Sequence, residues 1–266
     1  MPEAVEHIRR MRGGAQSHLM RCSDGFYYIV KFQNNPQHRK ILANELLGTI
    51  LASRLGLPAA PCAIVEVSDK LIEFTAELEV QIGLTRERCS SGRQFGSRYP
   101  GHPAEIAVFD YLPDPQLGEV ENLADFCGML AFDKWTCNTN GRQTVFFRED
   151  GRRCYQTAMI DNGFCFNAGE WTFPDAPLRG LYARQRVYES VTGMDSFAPW
   201  LNRLKNSQMT DALDEASKVI PPEWYGDKWD ELQELLERLD RRRTRVAEQI
   251  EQARDTSRQP FPNWRY

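Results

Sequence analysis

The run FYYIVKF, residues 26–32, sets the tightest limit on the architecture. Its aromatic and β-branched residues read as a strand, with one lysine, Lys31, near the end. Asn34-Asn35-Pro36 breaks that strand. Arg39–Leu55 then reads as a helix, because Ile41, Leu42, Leu46, Ile50 and Leu51 recur at helical spacing and Gly56 is placed to stop it. Glu45 lies inside this helix, 14 residues after Lys31. A short strand, Leu19–Arg21, precedes through the turn Ser23-Asp24-Gly25, and Leu57-Pro58 leads into another, Ala63–Val67. Strands joined by tight turns, with one inserted helix, make a small α+β lobe.

The middle, Glu77–Pro115, is rich in Gly, Ser, Arg and Pro and predicts little regular structure. Gln94–Gly101 reads as an ordered loop, either a surface excursion or a wall of a binding cleft. From Leu123 the texture turns helical. LADFCGMLAFDKW puts Leu123, Phe126, Cys127, Leu130, Ala131 and Trp135 on one broad face, as a buried helix would. The polar loop NTNGRQ follows, then Thr144–Phe147 and Cys154–Ile160 flanking Glu149-Asp150-Gly151, which is hairpin spacing. Asp161-Asn162-Gly163 comes directly after. Helices are expected over Val187–Val191, Ala198–Leu204, Met209–Val219 and Asp227–Gln252, the last with Arg241, Arg242 and Arg243 on a solvated face. The lobes divide as 1–112 and 113–266.

Composition removes several function classes. With 41% apolar and 26% charged residues among 266, the chain can bury a core and is not disordered. No stretch approaches the ~18 apolar residues of a membrane span, and MPEAVEHIRRMRGG has no apolar core, so a signal peptide is not expected. A net charge of −4 argues against direct nucleic-acid binding. The seven cysteines have no CxxC pair, which reads as isolated thiols in a reducing cytosol. Cys137 or Cys165 as a nucleophile would need a nearby base, and all four histidines lie upstream. A cytoplasmic protein is expected.

Four features recur in a meaningful order. They are the turn Gly13-Gly14-Ala15-Gln16-Ser17 between β-prone segments, the strand Lys31 with the helical Glu45, the polar loop after a buried helix, and Asp161-Asn162-Gly163 after a hairpin strand. Each alone is an ordinary turn or a solvated side chain. Together they match how phosphoryl-transfer enzymes hold ATP. Backbone N–H groups of a glycine turn approach the phosphates, a lysine oriented by a glutamate neutralises charge, and an aspartate holds magnesium.

At this point the chain resembles the HipA-like kinases, bacterial serine/threonine kinases of a divergent protein-kinase-like fold, best known as toxins of toxin–antitoxin systems. Gly14-Ala15-Gln16 is similar to that family's phosphate loop, YYIVKF and LANELLGTILASRLGLP to its lysine strand and following helix, AFDKWTCNTNGR to its catalytic loop, and MIDNG to its metal-aspartate segment. The resemblance covers roughly residues 11–170. It implies an α+β, bilobal fold with a small β-rich N-lobe and a mainly helical C-lobe, ATP and Mg2+ as cofactors, and a serine or threonine acceptor. It implies phosphate contacts from Gly14, Ala15, Gln16, Ser17 and Lys31, with Glu45 behind the lysine and Asp161 on the metal. An antitoxin partner is implied only by family; a small-molecule hydroxyl acceptor stays open, and the adenine-contacting hinge is expected between Ile106 and Leu112.

The chain departs from the family pattern at the catalytic loop. Asn140 stands where the family has its catalytic aspartate, Arg142 where it has histidine, and Val145 where it has the asparagine that binds a second metal. An amide can hydrogen-bond an acceptor hydroxyl but cannot take its proton, and valine offers magnesium no oxygen. Gln143 or Asn138 could supply an amide oxygen instead, and Arg142 could offset phosphate charge. Three readings follow: an active atypical kinase in which Asn140 orients the acceptor, a pseudokinase that binds nucleotide or a partner without transfer, and an α+β protein unrelated to ATP.

Overall fold

A computed structural model describes residues 1–149 and 151–265. The N-terminal part contains β1 (Ala4–Arg10), β2 (His18–Cys22), β3 (Tyr27–Lys31), α1 (Ile41–Arg54), β4 (Cys62–Val67), α2 (Asp69–Phe74), β5 (Glu79–Ile82), β6 (Thr85–Arg88) and β7 (Gly92–Arg98). A two-residue β8 (Val108–Phe109) and the short α3 (Asp114–Leu117) lead to α4 (Asp125–Thr136), and the hairpin β9 (Gln143–Phe147) and β10 (Gln156–Ile160) follows. The C-terminal part adds α5 (Ala198–Lys205), α6 (Gln208–Val219), α7 (Trp229–Arg242) and α8 (Val246–Arg254). Among the described residues no helix is long and apolar enough to cross a membrane.

The N-terminal sheet has the order β1-β2-β3-β7-β4. It curls until its edges meet, with Glu3 bridging Glu66 and Glu66 N donating to Pro2 O at 2.9 Å. Period-two alternation along β3 then separates two faces. Tyr28 and Val30 join Met20, Phe32, Val65 and Val67 in one apolar core, while Tyr27 and Ile29 face a cleft.

Two expectations for this half need correction. Glu77–Pro115 is not mostly irregular: it supplies four strands, β5 to β8, and Gln94–Arg98 belongs to β7, which sits between β3 and β4. GRQFGSR lacks apolar alternation because backbone pairing on both edges holds it. Its Gly96 is required by packing, since a Cβ there would stand 2.5 Å from a Val65 methyl. The first strand, AVEHIRR, was legible only as a β-prone stretch before the glycine turn, because most of its side chains are exposed.

Burial under the sheet perturbs His18 strongly. His18 is fully buried, 3.1 Å from His7 through their ring nitrogens. Burial, and then charge on His7, push its pKa down to about 4. Between pH 6.5 and 4 the unfolded chain therefore binds a proton that the folded chain refuses, so stability falls as the pH falls through that window. The thermal midpoint should drop less steeply over this range in His18→Leu than in the native chain; identical slopes would refute the assignment.

A second, larger core joins α1 to α4 and to the C-terminal helices. α4 is buried along its length from Phe126 to Thr136, as expected of a helix apolar nearly all round. The expected helix Asp227–Gln252 is instead α7, a 3-10 turn at Arg243–Arg245, and α8. Arg242 is not on a solvated face. It is buried, donating to the carbonyls of Trp135 and Lys134 at 3.0 Å each and to Asp175 at 2.7 Å. Its guanidinium thus satisfies carbonyls that the last turn of α4 leaves unpaired. The hairpin forms with Gln143 opposite Ile160; Asp150 of its expected turn lies outside the described residues. Within Ile106–Leu112 only Val108–Phe109 is strand, and it pairs with β9.

Candidate active site

Three charged side chains converge from three distant stretches of chain. Lys31, at the end of β3, donates both to Glu45 of α1 and, at 2.6 Å, to Asp161, which follows β10. Lys31 and Glu45 are buried, at 7% and 2% exposure, and Asp161 is nearly so. Burial alone would lower the lysine pKa, but the two carboxylates outweigh it and hold the ammonium above its ordinary value. Burial likewise works to raise the Asp161 carboxyl, and Lys31 overcomes it, leaving Asp161 below the usual carboxylate range. Glu45 is pushed up by burial, against the pull of Lys31.

The Asp161 turn is fastened to α1. Glu45 accepts from the backbone N–H groups of Asn162 at 3.0 Å and Gly163 at 2.9 Å. Asn44, fully buried, donates to the carbonyls of Gly163, Cys165 and Ala168, and accepts from the Trp171 indole at 2.8 Å. Thr49 Oγ1 accepts from Asn162 at 3.1 Å. His38, ahead of α1, reaches the carbonyl of Gly163 at 2.8 Å. Sequence reading missed Asn44, Gly48 and Thr49, although 44, 45, 48 and 49 share one face of a helix by period alone.

Gly48 is where α1 and the turn come closest. A Cβ there would lie 2.7 Å from Cβ of Asn162. Gly→Ala inside a helix normally stabilises by about 1 kcal/mol. Here Gly48→Ala should instead destabilise, by about 1–3 kcal/mol, because the turn must shift. Denaturant unfolding reads the sign directly, and a more stable variant would contradict the close approach.

The loop after α4 lies against the same turn, with Thr139 N donating to Phe164 O at 3.1 Å. Asn140 is exposed, and its Oδ1 accepts only its neighbour's N–H, that of Gly141. Asn138 is buried and spent, donating to Asp133 at 3.0 Å and accepting from Asn140 N at 3.1 Å. Arg142 does not face the cleft as a phosphate-neutralising group should. It is 3% exposed and forked on the Asp133 carboxylate, with Nε to Oδ2 at 2.9 Å and Nη2 to Oδ1. Gln143 is exposed, and strand periodicity puts it on the face shared by Val145 and Ile160, both of which line the cleft.

That cleft, ≈ 590 Å³, lies between the faces of β3 and β7 and the three-stranded β10-β9-β8 sheet. Ile29, Ala59 and Pro61 line one side, and Val108, Phe147 and Ala158 the other. Its back is closed by the segment after α1, where Met159 N donates to Pro58 O at 2.8 Å. The glycine turn sits between β1 and β2, with Gly13 at φ 115 and Gln16 at φ 48. The Gln16 amide grips the backbone of Gln81 in both directions, at 2.7 and 2.8 Å, and Ala15 O accepts from Asn35 at 2.9 Å. These bonds spend the Gln16 side chain on placing the turn. One step beyond the His18–Val30 pair, the register sets the buried Ser17 beside Lys31, with Gly14 and Ala15 next along the turn.

The fold is shared with known proteins. The chain shares its fold with the Golgi casein kinase, which is 11% identical with a TM-score of 0.53, over 96% of this chain and 74% of that one. It also matches the proinflammatory kinase CtkA of Helicobacter pylori, 13% identical with a TM-score of 0.54, over 91% of this chain and 96% of that one. At these identities the likeness is one of fold, and it is the protein-kinase fold. No curated protein matches the sequence. A family model for HipA-like kinases matches residues 4–150, which hold the glycine turn, the lysine strand, the glutamate helix and the loop after α4. With those parts carried on a protein-kinase-like fold, the chain belongs to the HipA-like kinases and is a kinase-like phosphotransferase.

Proposed function

We propose that the chain transfers the terminal phosphoryl group of ATP to a serine or threonine hydroxyl with the help of a divalent cation. The observation that carries this reading is the single ammonium of Lys31 between Glu45 and Asp161, on the face of β3 that it shares with Ile29 of an apolar cleft. A base fits the apolar part, and the triphosphate would then run toward Lys31. Lys31 would then take phosphate oxygens as partners in place of Asp161, whose carboxylate would be available to hold the cation. Magnesium takes oxygen donors and keeps several waters. Asp161 and the amide oxygen of Gln143 suit it, and Asn138 does not, because its amide is already engaged. The cation would neutralise charge developing on the transferred group, and the chain's own part is to hold Asp161 and Lys31 in place. Asn140 orients the acceptor without accepting its proton, which a loose transition state tolerates at reduced rate.

A second reading is favoured by Asn140 and Val145, which replace a base and a metal ligand. On that reading the chain binds nucleotide without transfer. Thermal shift with ATP, with and without Mg2+, tests the shared part: absence of any nucleotide-dependent stabilisation in the native chain defeats both readings. Labelled-phosphate transfer separates them. Activity in the native chain supports the kinase, whereas activity appearing only in Asn140→Asp supports the binding module.

A further inference from the structure

Asp161 sits at φ 62, in the left-handed region that residues other than glycine seldom occupy. The groups on both sides of it are held by the same hand. Arg142 Nη1 donates to the carbonyl of Ile160 at 2.8 Å and to Oδ1 of Asn162 at 3.1 Å. The other edge of the guanidinium is locked on Asp133, and Asp133 projects from the buried α4. Both partners are essentially withdrawn from water, with side-chain exposures of 1% and 0%. A buried path therefore runs from the core of the helical part through Asp133 and Arg142 to the Ile160 carbonyl and the Asn162 side chain, on either side of Asp161.

We propose that Arg142 is the positioning residue for Asp161: with its charge neutralised by Asp133, it clamps residues 160 and 162 and fixes the left-handed backbone that turns the Asp161 carboxylate toward Lys31 and the cation. The proposal rests on the reading of Asp161 as a cation ligand. The planar fork is essential, because one edge serves the carboxylate while the other reaches the turn, and a lysine ammonium has no second edge. Burial explains why an arginine here does not contact phosphate: its charge is already paired where water is excluded.

The test uses the full chain with Arg142→Lys, which keeps a charge beside Asp133, and Asn162→Ala, which leaves the Arg142–Asp133 pair intact. ADP is held at a fixed saturating concentration, and the Mn2+ concentration giving half of the metal-dependent thermal stabilisation is measured. Outer-shell partners of metal ligands are worth about 10–100-fold in metal affinity. Arg142→Lys should accordingly raise the half-point about tenfold or more, and Asn162→Ala by less, with stabilisation by ADP alone unchanged. Amide exchange at Asn162 and Gly163 should quicken in both variants while that of α4 does not. A lower melting temperature with an unchanged Mn2+ half-point and unchanged exchange overturns the proposal and leaves Arg142 a structural brace. If Arg142→Lys does not fold, Asn162→Ala alone decides. If the native chain shows no Mn2+ effect with ADP, the proposed function fails instead. The clamp is then judged by exchange alone, faster exchange supporting it and equal exchange overturning it.

Discussion

Lys31→Met is expected to remove nucleotide-dependent stabilisation altogether and to lower phosphoryl transfer by about 100- to 1,000-fold, the range seen when one preorganised charge-stabilising donor is lost. Among the described residues, this ammonium alone pairs with both Glu45 and Asp161. Methionine fills a similar volume but leaves the Glu45 carboxylate at 2% exposure with only two backbone N–H donors. Breaking a buried pair in this way costs about 3–5 kcal/mol, and Glu45, already pushed up by burial, relieves the cost by taking a proton. The pH dependence carries the same signature. Lys31 titrates above its ordinary value in the folded chain, so its contribution is complete below pH 10.5 and is lost as the pH rises through the folded pKa. Alkaline destabilisation should therefore be weaker in Lys31→Met than in the native chain. Urea unfolding at neutral and alkaline pH measures both effects, and a variant with native stability and native nucleotide response would remove Lys31 from the site.

Asp161→Asn separates cation from nucleotide. The amide is isosteric and leaves Lys31 with Glu45, so the fold should survive. Metal-dependent stabilisation by nucleotide should disappear, while metal-free stabilisation persists or grows, because Lys31 is no longer held by a second carboxylate. Transfer should again fall by about 100- to 1,000-fold. The acid limb offers an independent readout. Asp161 lies below its ordinary value in the folded chain, so its contribution is present above pH 3.8 and is lost as the pH drops through the folded pKa. That part of the acid destabilisation should be missing in Asp161→Asn. If metal-free and metal-dependent responses fall together, Asp161 acts on the phosphates or the fold and not on the cation.

Much of the site was legible because its residues carry chemistry that core packing does not need. A lysine inside FYYIVKF, a glutamate inside an otherwise apolar helix and an Asp-Asn-Gly directly after a strand stand out against their surroundings, and all three side chains meet. Asn44 and Thr49 stayed hidden because a polar residue on a helix normally points to water; only the approach of residues 160–168 makes that face an interior one. β7 was unreadable for a related reason: its pairing partners lie 64–70 residues upstream in β3 and 25–35 residues upstream in β4, and local alternation carries no trace of them.

Periodicity and residue type alone determined the small α+β lobe, the buried α4 and the hairpin, because those properties depend on neighbours within a turn or a strand, whereas the charged trio was legible from the order of its residues along the chain. Which way Arg142 and Arg242 point was settled only by the folded chain. A guanidinium can pair with solvent, phosphate or a buried carboxylate at similar local cost, and the choice falls to whichever partner, here Asp133 or Asp175, the distant backbone brings out of water beside it.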